Sequence, residues 1–245
     1  MSLAGALTFG RYAFAPNQLG YCGPDESAAL FDYVAEKRPD QGLVELERRF
    51  EGAYPYLCLI AQSNGIADPF DERVVDAYWI GNDLLRGVGG SALYESLRER
   101  FRSRMSSADF GWLETKVGAA QPHHNFHVFD IYVRAGLMRD ERASIAVSAM
   151  DSCRVSWGRV MAVEGADLVV ERPELIYKDG KLALGLPSAA RVTRQRDGRG
   201  FIDEAKPGDT VSIHWSWACD RLSQGALARL RRATDQCIAL ANTTI

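Results

Sequence analysis

Short apolar segments separated by turn signals fill the chain from Arg154 to about residue 218. The turns are marked by Glu164-Gly165, Lys178-Asp179-Gly180 and Asp197-Gly198. Apolar runs of this length, at near-regular spacing with glycine between them, are typical of the strands of a small β-barrel. The last stretch, from about Ser223 to Ala241, has apolar residues at helical intervals and predicts a helix docked on that barrel.

The first 110 or so residues have a helical pattern instead. Pro24-Asp25-Glu26 predicts a helix start, because proline suits the first turn and acidic side chains favour the positive end of the helix dipole. The β-branched and aromatic residues of segment 126–133 predict a strand. Apolar spacings of three and four predict further helices over residues 43–50, 57–62, 71–85 and 91–105.

Together these patterns predict an α+β protein with two domains. Residues 1–150 are expected to form a mainly helical domain with a strand-containing segment near 123–135. Residues 151–245 are expected to form the barrel with its C-terminal helix. Trp157, Trp215 and Trp217 are expected to be largely buried in or beside that barrel, since tryptophan buries a large apolar area.

Composition excludes some classes of protein. Apolar residues make up 47% of the chain and charged residues 25%, which is ordinary for a globular protein with a real core. The 29 basic and 32 acidic side chains form no dominant basic stripe, which argues against nucleic acid as a partner. No apolar run reaches the ~18 residues of a membrane helix. The N-terminus has no basic segment followed by a long apolar one, so we expect a cytoplasmic protein with no membrane association.

The cysteines favour free thiols. There are five of them, an odd number, and no two form a Cys-x-x-Cys pair. This argues against a disulfide framework or a zinc ribbon and fits a reducing compartment.

The order of residues from Cys153 onward is the most specific pattern in the chain. It begins with a cysteine followed by four residues and a glycine, then spaced valines, an acidic-Gly turn and a second acidic-ended strand, and it closes with Gly-Asp-x-Val-x-x-His before the helix. The segments concerned are Cys153–Gly158, Val160 to Val163, Glu164-Gly165, Val169–Glu171 and Pro207–His214. Over about residues 153–241 this order resembles the HypC/HupF chaperones of NiFe-hydrogenase maturation.

The resemblance implies a fold, a function and two site residues. The fold is a small OB-like barrel closed by the C-terminal helix. The function is that of an accessory protein, not an enzyme, which carries the iron fragment of the NiFe site and binds a hydrogenase large subunit or another maturation protein. Iron or nickel would be bound transiently. The functional cysteine of that family matches Cys153, and its strand histidine matches His214.

Strand periodicity bears on the same two residues. Over residues 209–218 a period of two places Val211 and Ile213 on the core face and His214 on the opposite, accessible face. Cys153 has inward parity unless it precedes the regular strand. We therefore predict that Cys153 and His214 lie close together on neighbouring strands. The alternatives are an exposed histidine without a role and a cysteine that only packs.

Three of the four histidines fall in one pentapeptide, as His123, His124 and His127. On a helix, His123 and His127 could share a metal ion, whereas on a strand they would lie about 13 Å apart. The flanking residues favour a strand, which leaves the histidines in or beside the preceding loop. The sequence leaves open a metal site or a hydrogen-bonding role at a domain junction, and we expect at least two of them to line a polar cleft.

Cys22 supports an alternative function. It directly precedes the predicted helix at Pro24, where the helix dipole can lower a cysteine pKa and produce a nucleophilic thiolate. With His123 or His127 as the base, Cys22 would suit a thiol-dependent hydrolase or transferase. A plain interaction module is the third possibility.

Overall fold

The computed structural model describes residues 2–103, 105–131 and 143–244. Helices occupy the first part of the chain, a five-stranded mixed sheet follows, and a long helix ends it, which confirms the α+β class. The α-helices are α1 Leu3–Gln18, α2 Ser27–Ala35, α3 Gln41–Glu47, α4 Tyr54–Ser63, α5 Glu72–Trp79, α6 Gly90–Phe101, α7 Ser107–Lys116, α8 His124–Phe126, α9 Ala143–Cys153 and α10 Gln224–Ala241. A 3-10 helix spans Asp83–Gly87 and a π-helical turn spans His127–Ile131.

The strands follow α9 directly. They are β1 Ser156–Glu164, β2 Asp167–Lys178, β3 Lys181–Thr193, β4 Gln195–Arg196, β5 Arg199–Gly200, β6 Thr210–His214 and β7 Trp217–Arg221. The main sheet has the order β1-β2-β3-β7-β6, and β4 and β5 form a separate hairpin. Because β1 pairs with both β2 and β6, the strand pairings run around a closed ring.

The turns predicted at Asp179-Gly180 and Asp197-Gly198 are present, but one predicted strand is divided by an additional turn. Asp179-Gly180 and Asp197-Gly198 have positive φ at both positions, as two-residue hairpins require. The segment 209–218, predicted as one strand, instead turns at Trp215 and Ser216, which have φ of 50° and 57°. His214 therefore pairs with Trp217 across a tight hairpin. The sequence hides this turn because neither residue is glycine or asparagine.

Helix α1 joins the helical part to the sheet. Ser2 caps its start by accepting a hydrogen bond from the Gly5 amide at 3.1 Å. Phe14 packs edge-on against Trp217 of β7, with ring centroids 5.0 Å apart. The larger hydrophobic core thus includes residues of both predicted domains, and the predicted boundary at residue 150 falls inside α9. A second cluster, with Val160, Leu168, Val170, Val211 and Ile213 among its members, fills the sheet interior.

The strand predicted over 126–133 is wrong for the described residues. His124–Phe126 is helical and continues into the π-helical turn, while residues 132–135 lie outside the described part. Phe126, Val128 and Phe129 are all buried. A short helical segment buried on every side has the same continuous apolar composition as a buried strand, and periodicity alone does not separate the two.

The tryptophan prediction holds for two of the three residues. Trp157 and Trp217 are both 6% exposed. Trp215 is half-buried because it forms the β6–β7 turn, where its ring stacks on Tyr21 with centroids 4.2 Å apart.

Candidate metal centre

Three potential ligands meet where the helical part contacts the sheet. His124 comes from α8, Cys153 from the end of α9 and His214 from the end of β6. Each offers one ligand atom, and these atoms all lie within 4.8 Å of one another. Within the described ranges this is the one set of three or more such side chains with this geometry. The predicted proximity of Cys153 and His214 is confirmed.

Cys153 reaches the cluster from a helix end, not from a strand start. The prediction that it begins the barrel is wrong, because α9 continues through Cys153 and β1 starts at Ser156. Its inward parity therefore does not apply. Hydrogen bonds hold the helix end in place, since the Trp215 amide donates to the Ser152 carbonyl at 2.8 Å.

Asn125 fixes the chain just beyond Cys153. Its Oδ1 accepts from the Val155 amide at 3.0 Å, and its Nδ2 donates to the Val155 carbonyl at 3.3 Å. Nδ2 also donates to Thr234 Oγ1 of α10 at 3.0 Å. No sequence pattern singles out this residue, which lies inside the histidine pentapeptide.

An ion network holds the other side of the α9 end. The Asp151 carboxylate accepts from Arg154 Nε at 2.9 Å and from the Leu175 amide of β2 at 2.8 Å, and it also pairs with Arg172. Arg154 is completely buried, and this burial lowers its pKa to about 10. Asp151 and its partners therefore fix α9 to the sheet directly beside the cluster.

His214 is buried, contrary to the prediction of an accessible face. Helix α1 packs over β6 on one side, and the rings of Trp79 and His124 lie at 5.7 and 4.9 Å from its own. Strand parity misses this, because both faces of β6 are covered. The Tyr12 carbonyl lies 2.7 Å from His214 Nδ1 and can only accept, so Nδ1 carries the proton. Nε2 has no hydrogen-bond partner among the described residues and keeps its lone pair.

His124 is held at both ring nitrogens. Its Nε2 donates to the Cys153 carbonyl at 2.8 Å, which leaves Nδ1 to accept from the Tyr78 hydroxyl at 3.2 Å. Burial lowers the pKa of His124 well below its ordinary value, and the neighbouring His214 lowers it further. Burial likewise lowers the pKa of His214 to about 4. Both rings are therefore neutral at pH 7, the form in which imidazole binds a metal.

The cluster lines a cavity of about 180 Å³. Tyr21, Cys22 and Trp215 line it together with His127 and the three clustered side chains. Most of its other walls are aromatic or aliphatic. The cleft predicted beside the histidines exists for His124 and His127, but it is largely apolar, not polar.

The three adjacent histidines point to different surroundings. His123 caps α8 by accepting from the Asn125 amide at 3.0 Å and lines a separate cavity beside α10. His127 contacts the Tyr56 hydroxyl through Nδ1 at 3.2 Å. Burial lowers the pKa of His123 to about 4 and that of His127 to about 3. Of the three, His124 alone joins the described cluster.

The pKa values of the Cys22 and Cys153 thiols are raised, whereas the sequence predicted a lowered pKa for Cys22. Helix α2 begins at Ser27, with Glu26 as its cap, so Cys22 is not at the helix terminus. Although Cys22 is an exposed residue, crowding around its thiol raises its pKa to about 12, and the nearby Cys153 contributes. Burial raises the pKa of Cys153 to about 11. At neutral pH both are thiols, not nucleophilic thiolates.

Comparison with family models gives a match over the whole chain, residues 1–245, to DUF6390, a family of unknown function. The chain belongs to this family. No curated protein and no solved structure matches it. No described helix is both long and apolar enough to cross a membrane.

The donor set fits a transition metal ion of the zinc, iron and nickel group. One sulfur and two imidazole nitrogens are common ligands for these ions, with metal–ligand lengths of roughly 2.0 to 2.3 Å. Donor atoms around such an ion lie about 3 to 4 Å apart, so a small contraction from 4.8 Å completes the geometry. His124 and His214 each donate their other N–H to a backbone carbonyl, the usual outer contact of metal-bound histidine.

Proposed function

We propose that this protein binds one transition metal ion through Cys153, His214 and His124 and acts as an accessory protein in metallocentre assembly. The observation that carries the proposal is the buried His214 Nε2, which has no hydrogen-bond partner among the described residues and lies next to the Cys153 thiol. A buried polar atom without a hydrogen bond costs roughly 1 to 3 kcal/mol. A metal–nitrogen bond would recover that cost.

The pKa values of the two cavity thiols favour metal binding over nucleophilic thiol chemistry. Neither Cys153 nor Cys22 has a lowered pKa, which a thiol nucleophile needs. Three protein ligands also leave a position open for a further ligand. A carrier that passes its ion to another protein uses such a position, since the acceptor's ligand can enter there.

The resemblance to HypC/HupF chaperones gives this role its direction. The five strands of the main sheet, of which β1 pairs with both β2 and β6, support an OB-like barrel. The cargo would be iron or nickel, and the partner a hydrogenase large subunit or another maturation protein. The cavity of about 180 Å³ has room beyond a bare ion, so a metal fragment that keeps small ligands also fits.

Metal titration tests the binding step. Metal-depleted protein is titrated with Co²⁺, Zn²⁺, Fe²⁺ and Ni²⁺, and we expect one ion per chain. Cys153→Ala and His214→Ala should each weaken binding by more than about 100-fold, because outer contacts alone are worth 10- to 100-fold. Cys58→Ala, a half-buried cysteine on α4 outside the cluster, is the matched control and should bind normally. Binding by Cys153→Ala at wild-type strength would reject the site.

Co-purification tests the accessory role. The wild-type chain and Cys153→Ala are isolated from the protein's own cells under reducing conditions, and their partners and metal content are compared. We expect a metalloenzyme or assembly protein to accompany the wild type and to be lost from the variant. Equal recovery with both, in preparations with the same thermal melt, would contradict metal-dependent delivery.

A further inference from the structure

Cys22 lies on the surface side of the same cavity. It belongs to the connection between α1 and α2, outside every helix and strand. It lines the cavity together with Cys153 and His214, although its thiol is outside the set of donor atoms that lie within 4.8 Å of one another. A lone cysteine would mean little, but His214 lines the same space, and its buried Nε2 has no hydrogen-bond partner in the described part of the chain.

The backbone around Cys22 is held firmly. Asn17 Nδ2 donates to the Cys22 carbonyl at 2.9 Å and to the Pro24 carbonyl at 2.6 Å. Gly23 has φ of 82°, and a Cβ at this position would come within 2.3 Å of Phe50 Cε1. The chain can therefore lie this close to Phe50 only with glycine at 23. These contacts keep Cys22 over the cavity.

A stacked pair of rings lies beside it. Tyr21 stacks on Trp215 with an interplanar angle of 17°, and both side chains line the cavity. Trp215 is held in a left-handed conformation directly after His214. A bulky residue with positive φ is strained, and strain of this kind is concentrated at functional sites. The stacked pair ties the Cys22 connection to the strand end that carries a proposed ligand.

We propose that Cys22 is the fourth ligand and the exchangeable one, so that the loaded site is a four-coordinate Cys₂His₂ centre closed by the α1–α2 connection. This rests on the proposed metal binding. When a divalent ion enters, each cysteine forms a sulfur–metal bond and releases its thiol proton to solvent, with no change in oxidation state. His124, Cys153 and His214 hold the ion while the acceptor protein's first ligand replaces Cys22, which takes up a proton as it leaves. Further acceptor ligands then replace these three, and Cys153 takes up a proton in turn.

Cobalt spectroscopy counts the thiolates directly. Metal-depleted wild type, Cys22→Ser, Cys153→Ser and Cys58→Ser are each loaded with Co²⁺ under reducing conditions. The sulfur-to-cobalt charge-transfer band grows with the number of thiolate ligands. We expect Cys22→Ser to keep about half of the wild-type intensity while still binding one ion, because one of two thiolates remains. Cys58→Ser should match the wild type.

A chelator competition measures the exchange. Release of Co²⁺ to an excess of chelator should be at least about 10-fold faster from Cys22→Ser than from wild type, since one of four ligands is missing. Full band intensity and unchanged release in Cys22→Ser would overturn this inference and leave the proposed function standing. Absence of Co²⁺ binding in the wild type would overturn both.

Discussion

The end of α9 carries two polar groups only two residues apart, and their surroundings differ. Asp151 turns towards β2, where its carboxylate accepts from Arg172 and from the Leu175 amide. Cys153 turns towards the cavity and meets His214, whose Nε2 has no partner in the described part of the chain. One side is a paired anchor, and the other side holds the three potential ligands.

The comparison distinguishes buried polar groups that stabilise the fold from buried polar groups that are available to bind a ligand. A buried charge is tolerated when opposite charges and hydrogen bonds surround it, as they do for Asp151. A buried lone pair left unused is a cost that packing alone does not explain. The contacts of Asp151 keep the end of α9 rigid, and this rigidity keeps Cys153 in position to bind an ion.

The largest expected effect comes from removing the anchor. Asp151→Ala leaves Arg154 and Arg172 buried without their carboxylate and should lower the free energy of unfolding by about 3 to 5 kcal/mol. Chemical denaturation measures it. Asp235→Ala, on the exposed face of α10, is the control and should stay within about 0.5 kcal/mol of wild type. Equal melts for the two variants would show that the paired side does not hold the helix end.

A smaller loss of stability is expected when Asn125, which holds the backbone just beyond Cys153, is removed. Asn125→Ala removes the clamp on Val155 and should cost about 1 to 3 kcal/mol of stability while weakening metal binding by roughly 10- to 100-fold. Asn64→Ala is matched, because Asn64 Nδ2 also donates two hydrogen bonds, here to the Ile60 and Leu84 carbonyls, and Asn64 caps the end of α4 without lining the cavity. It should lose stability and keep its metal affinity. If both variants lost metal affinity, the loss in Asn125→Ala would be explained by general destabilisation of the fold.

Glu47 is another buried group without a hydrogen-bond partner among the described residues, and it lies outside the ligand cluster. It is fully buried on α3, and neither carboxyl oxygen has a hydrogen-bond partner among the described residues. Burial raises its pKa well above the ordinary value of 4.5, which favours the neutral carboxyl, and no ligand set surrounds it among the described residues. A neutral carboxyl can remain unpaired at a cost in pH-dependent stability without serving a site.

The pH dependence of Glu47→Gln tests this reading. A raised pKa in the folded state means that stability is full below the unfolded pKa near 4.5 and is lost as pH rises towards the folded pKa. The variant cannot ionise, so its advantage over wild type should grow above pH 4.5 by up to about 1.4 kcal/mol per pH unit. Denaturation at several pH values measures it, with pH 4 as the reference where both side chains are largely neutral. A constant difference would mean that folding does not raise the pKa of Glu47.

Sequence patterns succeed where one face of an element meets solvent. The apolar spacing over 91–105 predicts a helix, and α6 spans Gly90–Phe101. The same reasoning fails for 126–131 and for His214, because both are covered on all sides and periodicity carries no information about a second covered face. The pairing of Cys153 with His214 could be predicted from the family-like order of residues. His124 could not be singled out from His123 and His127, since the three-residue helix α8 alone decides where each ring points.

The smallest effect concerns the hydrogen bond that competes for a ligand. The lone pair on His124 Nδ1, which an ion needs, accepts from the Tyr78 hydroxyl at 3.2 Å. Tyr78→Phe removes that donor and keeps the ring, so binding should tighten by the worth of one hydrogen bond, about 0.5 to 1.5 kcal/mol, or roughly 2- to 12-fold.

Tyr56→Phe provides a control with the same geometry, because the Tyr56 hydroxyl contacts His127 Nδ1 at the same 3.2 Å and its ring stacks on Tyr78. His127 lines the cavity but is outside the cluster, so Tyr56→Phe should leave metal affinity unchanged. Competition with a chromophoric chelator resolves differences of this size. If Tyr56→Phe tightens binding and Tyr78→Phe does not, the ion is held by His127, and the ligand set must be reassigned to the other side of the cavity. If Tyr78→Phe alone tightens it, His124 Nδ1 is the third donor.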